Sequence, residues 1–284
     1  MIRALILPLA LALGAAAPAL ANKPASEASA PLSAQEQAGV ALAIERARLL
    51  HAYDQAAWHT TDAMRRDVPK ETLVTIRGWV VTPDGNGASD GDDDYRVTYY
   101  SGAPGTGHRA VYSVVWTGGT DVRDAKLHAA GDDQLSAEET RLVAASDAVP
   151  EQGPLRCANA RFNRVILPRA GADEPDLVYL LTPQTEAGSI PLGGHHRSAV
   201  KDGKVLSSRA FSNSCIAMPL DAKAEGFVIS HLLDPTPTEI HFFSALAGQK
   251  PVYVITTQNE RLWVAEIVDG EPRARLTGAD APIF

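Results

Sequence analysis

LSAQE, at residues 32–36, and LSAEE, at residues 135–139, each mark the start of a helix. In both stretches the serine hydroxyl can accept a hydrogen bond from the backbone N–H of the glutamate three residues later. The glutamate there can reach back to the serine's own N–H, and the preceding leucine is typical of a hydrophobic staple. The sequence therefore predicts a long helix over residues 33–64 and a shorter one ending near Pro150.

Apolar residues of the first helix recur on one face, where we expect Leu42, Leu49, Tyr53 and Ala56 to be buried. Between the two helices lie β-like runs at residues 73–81, 95–100, 110–116 and 122–127, separated by glycine-rich turns. The first half is thus predicted to be a helix, an antiparallel meander and a second helix.

After Pro150 the pattern is that of strands, at residues 162–167, 177–181, 190–200, 204–211, 227–231, 239–243, 252–256 and 262–267. Connections this short leave no room for helical crossovers, so we expect antiparallel pairing. The prediction is an α+β fold in which an N-terminal α+β region (33–150) precedes a predominantly antiparallel β C-terminal domain (151–284).

The first residues read as a secretory signal peptide over residues 1–21, with Arg3, an apolar run and small residues ending at Ala21. A flexible linker over residues 22–32 follows. The apolar run is shorter than the roughly 20 residues that span a bilayer, so no membrane span is expected. The first cysteine is Cys157, which argues against an N-terminal lipid anchor. We expect a periplasmic or secreted protein.

Charge narrows the class of partner. Removing residues 1–21 takes away Arg3 and no acid, so 26 basic residues become 25, and 25 − 34 gives a net charge of −9. A chain this acidic repels nucleic acid at long range, so no nucleic-acid partner is expected. A cell-envelope component or a small ligand is the remaining kind of partner.

Two cysteines, Cys157 and Cys215, are present. In an exported protein such a pair most simply forms one disulfide. We favour this structural role for Cys215.

The segment SNSCIAM at residues 212–218 follows the histidine-bearing GGHHR at residues 193–197. It resembles the cysteine motif of the L,D-transpeptidase family, periplasmic enzymes that cross-link peptidoglycan, whose motif is Ser-x-Gly-Cys-Ile-Arg-Met. Four positions match: Ser212, Cys215, Ile216 and Met218. Ser214 stands where the family has glycine, and Ala217 where it has arginine. The resemblance implies Cys215 as nucleophile, and the catalytic candidates beside it are His195, His196 and Arg197.

The Asp202-Gly203 pair predicts a two-residue hairpin turn. In that register paired residue numbers sum to 405, so His196 faces Arg209 and Ile190 faces Cys215. At ~3.3 Å per residue, Cys215 would then lie roughly 17 Å along the ribbon from the level of His195, too far for a Cys–His dyad.

A metal site is the second chemical possibility. Glu239 and His241 are two residues apart on a predicted strand and therefore on one face. With His231, and with His195 brought in by folding, they form a donor set that suits Zn²⁺.

Two further features are interpreted as structural. The acidic run at residues 89–94 lacks the spacing of a calcium loop and is predicted to be a solvated hairpin tip. The tryptophans are interpreted as core or edge packing and not as a sugar-binding platform; they are Trp58, Trp79, Trp116 and Trp263.

Three hypotheses about function follow. The first is a cell-envelope binding or accessory protein, because no complete catalytic motif is present. The second is a metal-binding site or hydrolase that uses His231, Glu239 and His241. The third is a divergent cysteine enzyme similar to the L,D-transpeptidases, with Cys215 as nucleophile.

Overall fold

The computed structural model describes residues 31–85 and 94–277. Within these ranges the chain forms four helices and several antiparallel sheets, with a long helix first and a β-rich C-terminal half. The α+β fold expected from the sequence is confirmed. None of the helices in these ranges is long and apolar enough to cross a membrane. The predicted signal peptide and residues 89–93 of the acidic run lie outside the described residues.

Both predicted capping boxes are formed. Helix α1 (Ala34–Asp67) begins after Ser33, whose Oγ accepts from the Glu36 N–H at 3.2 Å, while the Ser33 N–H donates to the Glu36 carboxylate at 2.8 Å. A single turn, α2 (Lys70–Leu73), follows. Helix α3 (Ala137–Ala148) repeats the box with Ser136 and Glu139.

The first sheet is the predicted meander. Strands β1 (Ile76–Pro83), β2 (Tyr95–Ala103), β3 (Gly107–Trp116) and β4 (Val122–Leu127) pair in chain order, each antiparallel to the next. Successive residues of β2 enter different cores, because side chains alternate across a strand. Tyr99 packs in the cluster that contains α1 residues, and Tyr100 packs in the cluster that contains α3 residues.

The second sheet has the order β5-β6-β8-β9, formed by β5 (Asn163–Leu167), β6 (Asp176–Leu181), β8 (His196–Lys201) and β9 (Lys204–Ala210). The strand predicted over residues 190–200 is divided in two. Its first part is β7 (Ser189–Pro191), which pairs with β10 (Ala217–Pro219) instead. The interruption lies at Gly193 and Gly194, and Gly194 has a φ of +76°, which a strand does not accommodate.

The β8–β9 hairpin confirms the turn but not the whole register. Asp202 and Gly203 both have positive φ, and Lys201 lies opposite Lys204 as predicted. A bulge between Ala199 and Val200 shifts the pairing by one residue, so His196 lies opposite Ala210 and not Arg209. The expected pairing of Ile190 with Cys215 is also wrong, because Ile190 lies opposite Met218.

The third sheet corrects two predictions. Its order is β11-β12-β13-β14, with β11 (Phe227–His231), β12 (Val252–Thr256), β13 (Arg261–Val268) and β14 (Glu271–Leu276). Residues 239–243, predicted as a strand, begin helix α4 (Glu239–Gly248). This helix is a crossover between β11 and β12, which pair in parallel, so the expectation of no helical crossovers is also wrong.

The buried face of α1 differs from the predicted one. Tyr53 and Ala56 are buried, but Leu42 and Leu49 are 43% and 36% exposed. Ala43 and Ala47 are buried instead, in a core cluster that also contains α4 residues. Small side chains allow two helices to approach closely, and this contact sets the rotation of α1 about its axis.

Helix α1 contributes to two of the three hydrophobic cores formed by the described residues. Its second half packs with the first and second sheets, and its first half packs with α4 and the third sheet. The first of these cores combines residues from both sides of Pro150, among them Leu50, Tyr99 and Tyr179. The division into regions 33–150 and 151–284 stays a prediction.

Candidate functional site: the cleft along helix α1

Cys215 is bonded to Cys157, with 5.2 Å between their Cα atoms. The disulfide ties the loop before β10 to the segment before β5, and it leaves Cys215 without the thiol that a nucleophile needs. The motif serine is engaged as well, since Ser212 Oγ accepts from the Gly194 N–H at 3.0 Å and donates to the Ser214 carbonyl at 2.9 Å. A Cβ at Gly194 would lie 2.5 Å from Cys157 Sγ, so the glycine is required there.

His195 is a buried histidine with both nitrogens occupied. Its Nδ1 accepts from the Thr182 N–H at 3.2 Å, and its Nε2 lies 3.0 Å from the Pro191 carbonyl, to which it donates. This pair of bonds requires the neutral ring. Burial lowers the pKa of His195 to about 4, so the ring stays neutral at physiological pH and has no free nitrogen to act as a base.

His196 and Arg197 point to opposite faces of β8. His196 Nε2 donates to the Leu155 carbonyl at 3.1 Å, and its ring packs edge-on against Phe162. Arg197 forms an ion pair with Glu239 on the other face. Both side chains are engaged by these other partners, and Cys215 is bonded to Cys157, so the structure does not assemble the catalytic set expected around Cys215.

Glu239 is held inside the molecule by three partners. The Tyr179 hydroxyl donates to its carboxylate at 2.9 Å, Arg197 forms an ion pair with it, and Arg46 of α1 lies 4.0 Å away. Glu239 as a whole is only 4% exposed. Its role is to bind α1, the second sheet and α4 together.

His231 and His241 lie side by side, with ring centroids 4.7 Å apart. His231 Nε2 lies 2.8 Å from Asp234 Oδ2, and Arg209 donates to both Asp234 oxygens. Burial alone would raise the pKa of Asp234, but the hydrogen bonds from His231 and Arg209 lower it. His241 Nδ1 accepts from the Thr238 N–H at 2.9 Å and thereby caps α4.

These positions do not form the expected zinc site. Because α4 is a helix, Glu239 and His241 do not share the face that a strand would have given them. Glu239 contacts Arg197, whereas His241 contacts His231. Within residues 31–85 and 94–277, no group of three or more His, Cys, Asp or Glu side chains is arranged to hold a metal ion.

An open cleft of about 560 Å³ runs along α1. Elements far apart in the chain supply its walls. The residues that matter chemically are Asp54, Gln55 and Trp58 of α1, Trp79 of β1, Asn163 of β5 and Gln249 after α4. The cleft thus combines aromatic surface with one carboxyl and several amide groups, and its volume is that of an ordinary ligand site.

Asp54 is the chemically distinctive residue of this cleft. Burial raises the pKa of Asp54 to about 6. Its carboxyl has no hydrogen bond or ion pair with any residue that the structure describes. The nearby His51 has its pKa lowered to about 4, also by burial, and its ring packs edge-on against Phe243. A half-hidden carboxyl with no protein partner is available to a ligand.

Trp58 corrects the interpretation of the tryptophans as packing residues. Its side chain is 66% exposed, whereas Trp263 is fully buried. The indole packs edge-on against His59, with centroids 4.4 Å apart, and His59 in turn stacks on Trp116. These contacts support the indole, which gives the cleft a large, exposed aromatic surface.

Comparison with known proteins adds no relationship. No protein-family model, curated protein or solved structure matches this chain. The residues of the cleft are therefore the basis on which a function can be inferred.

The sequence held one overlooked signal for this site. Asp54 follows Leu50 by four residues and precedes Ala57 by three, so it lies on the buried face of α1. An acidic residue on such a face indicates either a buried partner or a site. Asn163 and Gln249 gave no comparable signal, because only the tertiary fold brings them to α1.

Proposed function

We propose that this protein is an exported binding protein of the cell envelope, and that the cleft along α1 binds a sugar-containing ligand. The observation that carries the proposal is the exposed Trp58 indole in the same cleft as the unpaired Asp54 carboxyl. The apolar C–H face of a sugar ring packs against an indole, and its hydroxyl groups need donors and acceptors around it.

The polar groups of the cleft suit such a ligand. The Asp54 carboxylate can accept from sugar hydroxyl groups, while the amides of Gln55 and Asn163 can both donate and accept. The volume of about 560 Å³ accommodates a short oligosaccharide.

Export supports the envelope as the place of action. The signal peptide expected at residues 1–21 directs the chain out of the cytoplasm. The Cys157–Cys215 disulfide is the kind of bond that persists in oxidising compartments. The proposed location is the periplasm or the extracellular space.

Binding is favoured over hydrolysis by the number of acids. Glycoside hydrolysis ordinarily uses two carboxyl groups on either side of the scissile bond. Asp54 is the one carboxyl among the described residues that line this cleft. The enzymatic alternatives through Cys215 or a zinc ion have less support, because those side chains are bonded to the protein.

A titration with a neutral sugar oligomer tests the proposal. The mature chain is titrated with N-acetylchitotetraose by calorimetry and by tryptophan fluorescence. We expect Trp58→Ala to weaken binding by about ten-fold or more, since the stacking surface is lost. Leu42→Ala, an exposed substitution on the same helix, is the control and should leave the affinity unchanged.

Asp54 offers a second, independent variant. Asp54→Asn should weaken the same binding, whereas Asp62→Asn, on the exposed side of α1, should not. Absence of binding to the wild-type protein, or equal affinities for wild type and Trp58→Ala, would contradict the proposal.

A further inference from the structure

A second cleft, of about 500 Å³, adjoins the first. It shares Trp79 and Asn163 with the cleft along α1 and continues toward the end of α3. Because two residues line both clefts, an extended ligand that contacts them can reach into both.

Arginines gather at this second cleft. Glu151 pairs at 3.3 Å with three arginines, of which Arg161 and Arg164 line the cleft and Arg156 does not. Within the cleft, the guanidinium groups of Arg161 and Arg164 thus surround the single Glu151 carboxylate, which leaves an excess of one positive charge. Burial alone would raise the pKa of Glu151, but hydrogen bonds and charge interactions with Arg161 and Arg164 lower it.

Arg77 adds a further charge at the rim. It is exposed and forms no ion pair or hydrogen bond with the part of the chain that the structure describes. The other acid in the cleft is Asp147, which lies 3.3 Å from His108 Nε2. Burial raises the pKa of Asp147, and with Glu151 it sets two acids against the three arginines that line the cleft.

The arginine side chains differ in how firmly other residues hold them. Arg164 is fixed, because it donates to the carbonyls of Ser146 and Val149 at the end of α3. Arg161 has a side chain that is 73% exposed and a single contact with Glu151. Arg161 and Arg77 are therefore the two that can turn toward a ligand without breaking the end of α3.

We propose that the second cleft binds an oxyanion, a carboxylate or a phosphate, that is carried by the same sugar ligand. The proposal rests on the proposed function of the first cleft and specifies its ligand as an acidic glycan. Guanidinium groups bind both kinds of oxyanion through paired, charge-assisted hydrogen bonds. The local positive charge also explains how a protein of net negative charge attracts an anionic ligand.

Three probes test the inference on the mature chain. N-acetylchitotetraose is neutral, tetragalacturonate carries carboxylates, and glucose 6-phosphate carries a phosphate. We expect at least one acidic probe to bind about ten-fold more tightly than the neutral one. The acidic probe that binds identifies the oxyanion. The preference should decrease as salt is added.

The variants separate this inference from the proposed function. The double variant Arg77→Gln/Arg161→Gln should lose the preference for the acidic probe and retain the neutral one. Arg273→Gln, on β14, is the control. An unchanged preference in the double variant, or equal binding of all probes by wild type, overturns the inference alone. Neutral binding that does not respond to Trp58→Ala overturns the proposed function alone. Absence of binding by every probe overturns both.

Discussion

The loop region at residues 193–197 and 212–218 and the cleft along α1 differ in how their polar groups are satisfied. In the loop region, His195, Ser212 and Cys215 are all bonded to the protein itself. In the cleft, Asp54 has no partner among the described residues and Trp58 is exposed. Residue types that attract attention in the sequence therefore stabilise the fold, while residues that look ordinary there remain available for binding.

The comparison shows why partners matter more than residue types. A histidine, serine or cysteine contributes chemistry only when a reactive atom is free to meet a ligand. A half-buried carboxyl that has no partner among the described residues keeps its hydrogen-bonding capacity for a ligand. The four predictions that follow test whether the two regions differ in this way.

The largest effect is expected for Glu239→Ala. Removing the carboxylate leaves Arg197 inside the molecule without its counter-charge and the Tyr179 hydroxyl without its acceptor. We expect the free energy of unfolding to fall by roughly 3–5 kcal/mol. Denaturant titration measures the change, with Glu271→Ala as an exposed control whose ion pair with Arg48 contributes little.

The same variant distinguishes structure from metal binding. If Glu239 only supports the fold, EDTA and added zinc should leave the melting temperature of the wild-type protein unchanged. A zinc-dependent rise in wild type that is absent from Glu239→Ala would restore Glu239 as a ligand.

The next effect concerns the disulfide. Replacing both cysteines, in Cys157→Ser/Cys215→Ser, opens a loop whose ends are 58 residues apart. The chain-entropy treatment gives a loss of about 4 kcal/mol. At a temperature where the variant is folded, its affinity for N-acetylchitotetraose should equal that of the wild type. A loss of affinity in the folded variant would place the loop region in the binding site and weaken the contrast.

The third effect, at Asp54, is a gain in the free energy of unfolding on substitution, and it depends on pH. Burial raises the pKa of Asp54 from 3.8 to about 6. The folded state thus holds the proton to higher pH than the unfolded state. The destabilisation by the charged carboxyl is absent below about pH 4, grows toward pH 6 and is complete above it. A difference of one pKa unit between the folded and unfolded states corresponds to 1.36 kcal/mol, so the charged carboxyl destabilises the fold by up to about 3 kcal/mol.

Asp54→Asn should therefore be more stable than wild type by up to about 3 kcal/mol at pH 7.5 and equally stable at pH 3.5. Denaturant titrations at the two pH values measure the difference. Asp62→Asn should show no such pH dependence. A variant that is less stable than wild type at pH 7.5 would mean that the carboxylate has a stabilising partner.

The smallest effect on stability is expected for Trp58→Ala. The indole is 66% exposed, and its main contact is the edge-on packing with His59. We expect the free energy of unfolding to change by at most about 1 kcal/mol. Thermal unfolding measures it, and a much larger loss would assign Trp58 to the fold and remove it from the binding surface.

The fold could be predicted where the signals are local. Ser33 and Ser136 with their glutamates mark helix starts within a few residues, and the Asp202-Gly203 turn fixes its own hairpin end. The strand predicted over residues 239–243 was wrong because an apolar run fits either a strand or a buried helix. Two interactions favour the helix. The His241 ring accepts from the Thr238 N–H and caps α4, and α4 packs against α1.

The candidate site could not be predicted, for a related reason. Asp54, Trp79, Asn163 and Gln249 come from four separate elements, and only packing brings them together. The sequence also did not show which residues of α1 are exposed, because the choice between Leu49 and Leu50 as the buried residue depends on the rotation of α1 about its axis. The bulge between Ala199 and Val200 likewise changed the partners of residues 196–199.

The disulfide has a consequence for a cut chain. The exposed hairpin tip at Asp202 and Gly203 lies between the two cysteines, whereas the exposed turn at Asp269 and Gly270 lies beyond them. Hairpin tips of this kind are where proteases nick a folded domain. After a nick at the first tip the two fragments stay covalently joined and separate on a gel only under reduction. After a nick at the second turn, β14 is held by non-covalent contacts alone.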